Sequence, residues 1–253
     1  MGLLDGRVVL VSGGTQGVGA GVARAAVREG ALVTISGRRI DVGEEAAAET
    51  GARFVAADVA DPAQARASVA AVVAEHGRID GLVNAAGLTD RGTLLDTTPE
   101  LFDRHVAVNL RGPFFTMQAA VADMVARGEP GSVVNVISSS ELGGQPYLAP
   151  YVAAKAGLAG LTRNAAHAHR HDRVRINGVD IGWTDTEGED AVQRRFHDAD
   201  DGWRDDAAAR LPMGRLGRVD EIADFVVFLL SPRSGVVTGS VVDWDQNVLG
   251  GLD

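Results

Sequence analysis

Tyr151 and Lys155 stand four residues apart in a stretch that reads as a helix, so both fall on one face, one turn apart. An ammonium held beside a phenol favours the phenolate, which lowers the tyrosine pKa from its ordinary ~10. Such a pair can work as a general acid/base near neutral pH. Lys155 is also the only lysine in the chain; arginine fills the other Lys/Arg positions. Lysine is a compact point charge and arginine is not its equivalent, so the one retained lysine hints at a position that arginine cannot serve. Ser138 ends an apolar run thirteen positions earlier, where its hydroxyl can hydrogen-bond a carbonyl or alcohol oxygen. Each feature has a bland reading: a chance Tyr/Lys spacing, and a serine-rich turn in which Ser139 or Ser140 merely caps the loop. What decides is the set of elements that must bring them together.

Those elements alternate. Val8–Ser12, Leu32–Ser36, Arg53–Ala57, Gly81–Asn84, Ser132–Ile137 and Arg175–Val179 read as short buried strands, with a last one centred on Val241–Val242. Val18–Glu29, Val42–Thr50, Pro62–His76, Glu100–Ala126, Tyr151–Arg170 and Val219–Leu230 read as helices. Asp61-Pro62 and Thr98-Pro99 supply N-caps with proline at the first helical position. Alternation of this kind predicts an α/β fold: a single doubly wound parallel sheet, Rossmann-like, with helices on both faces. The whole of 1–253 reads as one domain. Between 184 and 216 the alternation breaks into a polar, acidic stretch, which is expected to be a lid or binding loop rather than a second domain.

The first strand runs into Ser12-Gly13-Gly14-Thr15-Gln16-Gly17-Val18-Gly19 and then a helix. Glycines 13, 17 and 19 allow unusual φ, close backbone approach to a pyrophosphate, and tight helix–strand packing, with the helix N-terminus facing the anion. The spacing is G-x-x-x-G-x-G rather than the usual G-x-G-x-x-G, and no G-K-[ST] follows to suggest a nucleotide triphosphatase. Asn84-Ala85-Ala86-Gly87 ends the fourth strand with small residues where a cofactor would pass. Asn109 sits inside the fourth helix, where asparagine is mildly unfavourable and needs a partner or solvent.

Taken in order, Gly13/Gly17/Gly19, Asp58-Val59, Asn84-Ala85-Ala86-Gly87, Asn109, Ser138 and Tyr151-x-x-x-Lys155 resemble the short-chain dehydrogenase/reductase family over essentially the full length. The resemblance implies an NAD(P)-dependent oxidoreductase that interconverts a secondary alcohol and a ketone. Tyr151 would exchange the proton of the substrate oxygen, and Lys155 would lower its pKa and hold the nicotinamide ribose. Ser138 would orient the substrate oxygen, and Asn109 would hold a water linking Lys155 to solvent. Asp58, with Val59 beside it, would bind the adenine; Thr15, Gln16 and Val18 complete the phosphate turn. Thr186, and Ile181 through its backbone, would contact the carboxamide. The family is usually homotetrameric, so a homo-oligomer, tetramer or dimer, is expected.

Many NAD-preferring members carry an acidic residue after the second strand. That position here is Gly37, followed by Arg38 and Arg39, which favours NADP(H), with NAD(H) the alternative. Gln16, where a basic residue is common, and the nearby Asp41 argue the other way. The chain also departs from the family. Ile181 replaces the proline of the usual Pro-Gly, and Asp243-Trp244-Asp245-Gln246 replaces the usual Asp-Gly-Gly and is expected to line a polar pocket or an interface. Trp183 and Trp203 are expected either to stack on substrate or to form lid core.

Nearly half the chain is hydrophobic and its net charge is −10, without a basic tail or block, which argues against nucleic acid. There is no cysteine, so disulfides and thiolate sites are excluded. Met1–Gly6 shows no signal pattern and no apolar run reaches membrane length, giving the expectation of a soluble cytoplasmic protein without a membrane role. His167 and His171 have a helical metal spacing but lack an accompanying glutamate, and no metal is expected. The polar lid, with Glu187, Glu189, Asp190 and His197, tilts the expected alcohol or ketone towards a sugar or polyol. The competing reading is a non-catalytic NAD(P)-binding sensor or scaffold on the same fold; within enzymes, an epimerase or dehydratase is a close variant.

Overall fold

The computed structural model describes residues 2–248; the ends of the expected 1–253 domain lie outside the described residues. Seven parallel strands form one sheet in the order β3-β2-β1-β4-β5-β6-β7. They are β1 (Val8–Ser12), β2 (Leu32–Gly37), β3 (Arg53–Ala56), β4 (Gly81–Asn84), β5 (Gly131–Val136), β6 (Val174–Ile181) and β7 (Val241–Trp244). The order reverses between β1 and β4, the point where an open α/β sheet leaves a crevice at its carboxyl edge. Strands β1, β4 and β5 are buried at every position, which is why their sequences run apolar without alternation.

Helices cover both faces, as the doubly wound reading requires. On one side α1 (Gly17–Arg28) packs with α9 (Val219–Leu230), and Val22, Ala26, Ile222 and Val226 meet Val11, Ile35, Val83 and Val134 of the sheet. On the other, α3 (Pro62–His76), α5 (Gly112–Arg127) and α6 (Ala149–His169) set Val72, Met117, Val121 and Leu158 against Leu10, Leu82, Val133 and Ile176. The remaining early helix, α2 (Ile40–Thr50), closes the β3 edge. The caps follow the sequence: Asp61 accepts from Ala63 N, and Thr98 from Leu101 N.

Two elements differ from the sequence-based expectation. The expected Glu100–Ala126 helix is two α-helices, α4 (Pro99–Val106) and α5, joined by a π-helical turn over Ala107–Arg111. Pro113 has no N–H to give the Asn109 carbonyl four residues back, so the α-helical ladder cannot pass this point unchanged. The stretch 184–216 is not an open loop. It forms α7 (Glu187–His197) and α8 (Trp203–Arg210); α8 builds a small core of Trp203, Ala207 and Leu216 with Trp183 packed against it, and α7 is tied to it where Trp183 and Trp203 donate to Glu189 and Asp190. Periodicity misses them because both helices are strongly polar and bury little; α7 is announced instead by a cap, Thr186 accepting from Glu189 N at 3.0 Å.

Candidate active site

A cleft of about 2040 Å³ runs along the carboxyl edge of the sheet, from β3 past β1 to β6 and under the lid. That is larger than an ordinary small-molecule pocket and has room for a dinucleotide and a substrate together. At its base, Gly13 has φ +78°, and a Cβ there would lie 2.4 Å from the backbone nitrogen of Ala86. Only glycine lets the β1 turn sit this close to the segment after β4. The cradle therefore fits a group that needs bare backbone N–H donors, as a pyrophosphate does. Thr15, Gln16, Gly17, Val18 and Gly19 line this end, with Ala85, Ala86 and Gly87 opposite.

Towards β3, Asp58 and Val59 also line the cleft. One Asp58 oxygen accepts from Ala60 N at 3.0 Å, which holds the carboxylate in place. Arg38 and Arg39 stand at the rim, and Arg39 donates to Gln16 Oε1 at 2.7 Å. At Gly37 a Cβ would come within 2.7 Å of the Thr15 methyl, so a side chain at this position would require Thr15 to turn away. Asp41 is exposed and is not part of the cleft wall.

The reacting end is built by α6 and the turn after β5. Tyr151 and Lys155 are both buried on one face of α6, at 8% and 4% exposure, yet both reach the cleft wall. Ser138 lies two residues beyond β5; its hydroxyl donates to Ser140 Oγ at 3.1 Å, and its interaction with the Tyr151 side chain works to lower the tyrosine pKa. Lys155 Nζ donates to the Val136 carbonyl at 2.7 Å and stands 5.6 Å from the Tyr151 ring centre. The expected effect of the lysine on the tyrosine needs correction. Burial pushes the Tyr151 hydroxyl up to about 12, helped by the negative charges of Glu189 and Asp180; the Ser138 hydrogen bond and Arg91 only partly oppose this. Burial also pulls Lys155 down to about 8. Desolvation of two charged forms outweighs the spacing argument, because the ammonium is bonded to a backbone carbonyl rather than to the phenol.

Asn109 and Asn84 are placed behind the cleft wall rather than on it. Asn109 is fully buried; its Oδ1 accepts from Leu88 N and its Nδ2 donates to Leu88 O, both at 2.9 Å, which clamps the loop after Gly87. Its place in the π-helical turn is what sequence periodicity alone does not reveal. Asn84 turns into the sheet's α5/α6 side, donating to Asn135 Oδ1 at 2.8 Å and accepting from Thr116 Oγ1 at 2.6 Å. Its side chain supports β4.

Over the tyrosine, Ile181 and Thr186 line the wall as expected. Trp183 and Trp203 stack on each other, 6.1 Å between centres, so they form lid core rather than an open platform. Gln246 is a clamp: it accepts from Met213 N at 2.7 Å and donates to Arg215 O at 2.6 Å, tying the end of the lid to the segment after β7. Trp244 stacks on Phe225 at 5.0 Å.

Several residues on or behind the wall were not singled out from the sequence. His105 is fully buried, held to the Asp90 carbonyl at 3.1 Å and edge-on to Tyr151 at 6.2 Å; burial pulls its pKa down and favours the neutral ring. Arg91 reaches His197 Nε2 at 3.1 Å and lies over Tyr147 at 5.3 Å. Gln145 accepts from Ser140 at 2.5 Å. Their only sequence signal was polarity close to Ser138 and Gly87, which is shared with ordinary loops.

The pattern of the family described as enoyl-(acyl carrier protein) reductase matches residues 13–247. The chain belongs to the short-chain dehydrogenase/reductase family. It is an oxidoreductase of that family, which binds NAD(P). It is 33% identical to a sorbitol dehydrogenase of Cereibacter sphaeroides, over 96% of this chain and 97% of the relative. It is 36% identical to an L-rhamnose 1-dehydrogenase (NAD(P)(+)) of a Sphingomonas species, over 96% of both. Among solved structures, an actinorhodin polyketide ketoreductase variant with NADPH superposes with a TM-score of 0.91 at 30% identity, covering 97% of this chain and 98% of that one. Among the described residues, no helix is long and apolar enough to cross a membrane.

Proposed function

We propose that this oxidoreductase interconverts a secondary alcohol and a ketone on a hydroxylated small molecule, a sugar or polyol, with NADP(H) preferred over NAD(H). The observation that carries the reading is the convergence of Ser138 and Tyr151 hydroxyls on one point of the cleft, with Lys155 directly behind.

The nicotinamide supplies or accepts the hydride. The glycine turn, Asp58 and the Ala85–Gly87 segment would hold the dinucleotide. Ser138 donates to the substrate oxygen and orients it. Tyr151, protonated at neutral pH in the ligand-free site, is ready to deliver its proton to that oxygen in ketone reduction. Lys155 places a positive charge where a ribose hydroxyl and the developing phenolate both gain from it. The Asn109 carbonyl, without its α-helical donor, is available to a water that would connect Lys155 to solvent. His105, packed against the Tyr151 ring, excludes water from one side.

The preference for a hydroxylated substrate is supported by the wall opposite Tyr151. Glu189 Oε1 accepts from Trp183 and Gln193, at 2.8 and 2.7 Å, while Oε2 has no protein partner among the described residues. Two of the relatives act on a polyol or a sugar by name. The preference for NADP(H) is supported by Arg38 and Arg39 at the rim and by glycine, rather than an acidic residue, at position 37. The same reading includes a cytoplasmic homo-oligomer, with exposed Phe102 and Phe114 on α4 and α5 as apolar area for a second copy.

The test is fluorescence titration with NADPH and NADH, in wild type and Arg38→Ala, followed by a panel of sugars, polyols and simple ketones. Tighter NADPH binding that Arg38→Ala abolishes, with turnover of a polyol or sugar, supports the reading. Tighter NADH binding reverses the cofactor preference. Cofactor binding without turnover of any alcohol or ketone would replace the enzyme reading with the sensor or scaffold one.

A further inference from the structure

Asp180, in β6, is 1% exposed, and neither of its carboxylate oxygens has a hydrogen-bond partner. Among the described residues these are the only buried side-chain polar atoms left in that condition. Burying a carboxylate without partners is costly, so a side chain kept in this state calls for an explanation.

Its position supplies one. Val174 and Ile176 of β6 pack in the cluster that includes Leu158, Ala159 and Ala166 of α6, and alternation along the strand puts Asp180 on that same face. Here α6 brings in Lys155, whose Nζ is bonded to the carbonyl of Val136, the β5 partner of Val179. The other charges around Asp180 are acidic. Asp243 is its register partner on β7, and Asp245 follows two residues on. Glu141 comes from the turn after β5, 3.7 Å from Arg163 of α6. Burial first, then Glu141, Asp243 and Asp245, push the Asp180 carboxyl up to about 7, and Lys155 opposes them. In return Asp180 raises Lys155 against the burial that pulls it down. No ion pair joins the two directly, so the coupling is through space.

We propose that Asp180 is a positioning residue for the reaction: a buried counter-charge that keeps Lys155 an ammonium behind Tyr151 and so sets the pH range in which the tyrosine exchanges its proton. The inference rests on the roles given to Tyr151 and Lys155 above. Burial raises the Asp180 carboxyl and lowers the Lys155 ammonium, and each charge opposes the shift of the other. It belongs to this chain's own departures: the carboxylate precedes Ile181, at the point where the family pattern is broken, and faces the equally unusual Asp243-to-Gln246 segment.

Because Lys155 is the only lysine, protein labelled with [ε-13C]lysine gives one side-chain resonance, and its titration can be followed without substrate or cofactor. Asp180→Asn keeps the shape and removes the charge. The expected result is a fall of about one pH unit in the Lys155 midpoint, a tenfold change in its acid dissociation. The wild-type curve is also expected to show two inflections, the mark of coupled sites, which keeps the test sound if the variant folds poorly. An unmoved midpoint, or a single wild-type inflection, overturns the proposal. With an alcohol substrate in hand, both limbs of the kcat–pH profile should move to lower pH in Asp180→Asn. A shifted lysine in a protein that turns over no alcohol supports the charge coupling and removes the alcohol reading instead.

Discussion

Asn135 on β5 and Asp180 on β6 are both buried on the α6 side of the sheet, and their surroundings differ completely. Asn135 donates to Thr162 Oγ1 at 2.8 Å and accepts from Asn84 at 2.8 Å; Asn84 in turn accepts from Thr116, and Thr162 donates to the Leu158 carbonyl. All four side chains are neutral and bonded, and the network stitches β4 and β5 to α5 and α6. Asp180 carries a charge and has no bonded partner. A satisfied neutral network specifies one packing of the core. An unsatisfied carboxylate beside a buried lysine holds free energy back from stability and leaves it at the reaction site. The contrast separates polar burial that holds the fold from polar burial that serves chemistry.

Tyr151→Phe sharpens the contrast most. It should lower kcat for alcohol oxidation by about 10²–10⁴-fold, the usual worth of a general acid/base, while thermal melting stays near wild type. Asn135→Leu should behave in the opposite way. Leaving the Asn84 amide without its acceptor and Thr162 without its donor should cost about 2–3 kcal/mol in urea unfolding, with reduced-cofactor affinity unchanged in the fraction that folds. If that variant lost cofactor affinity and kept its stability, the division between the two regions would fail. Arg39→Ala, remote from both, should weaken NADPH about tenfold and NADH little, read by nicotinamide fluorescence.

The smallest effect is on the stability of Asp180→Asn. The carboxyl is raised in the folded state, from an ordinary 3.8 to about 7. The native protein therefore holds a proton that the unfolded chain has lost, and stability falls as pH rises from about 4 to about 7. Removing the charge should raise the melting temperature at pH 8 and leave it unchanged near pH 4. A gain that is equal at both pH values would mean that folding does not shift the Asp180 carboxyl from its ordinary value.

The strands and most helices were legible because burial on both sheet faces leaves continuous apolar runs, and Asp61-Pro62 and Thr98-Pro99 mark helix starts. The glycine turn was legible because Gly13 must admit the backbone of Ala86 within a distance no side chain allows. The lid helices were not, since a helix that shields a cleft with charged residues has no apolar stripe to detect. Nor was the tyrosine's direction of shift. The spacing of Tyr151 and Lys155 places them on one face of a helix, but where the ammonium donates its hydrogen bond is decided by β5, nineteen residues away.

What the chain alone determined, then, is what local chemistry requires: the alternation of strand and helix, the bare backbone of the phosphate turn, and the residue types Ser138, Tyr151 and Lys155 in helical and strand-end register. The tertiary structure decided what depends on desolvation and on neighbours distant in sequence. It put Asn84 and Asn109 behind the cleft, stacked Trp183 on Trp203, and enclosed Asp180 with Lys155. A charge's effect depends on the water and partners around it, and those are assembled only when β5, β6, β7 and α6 meet.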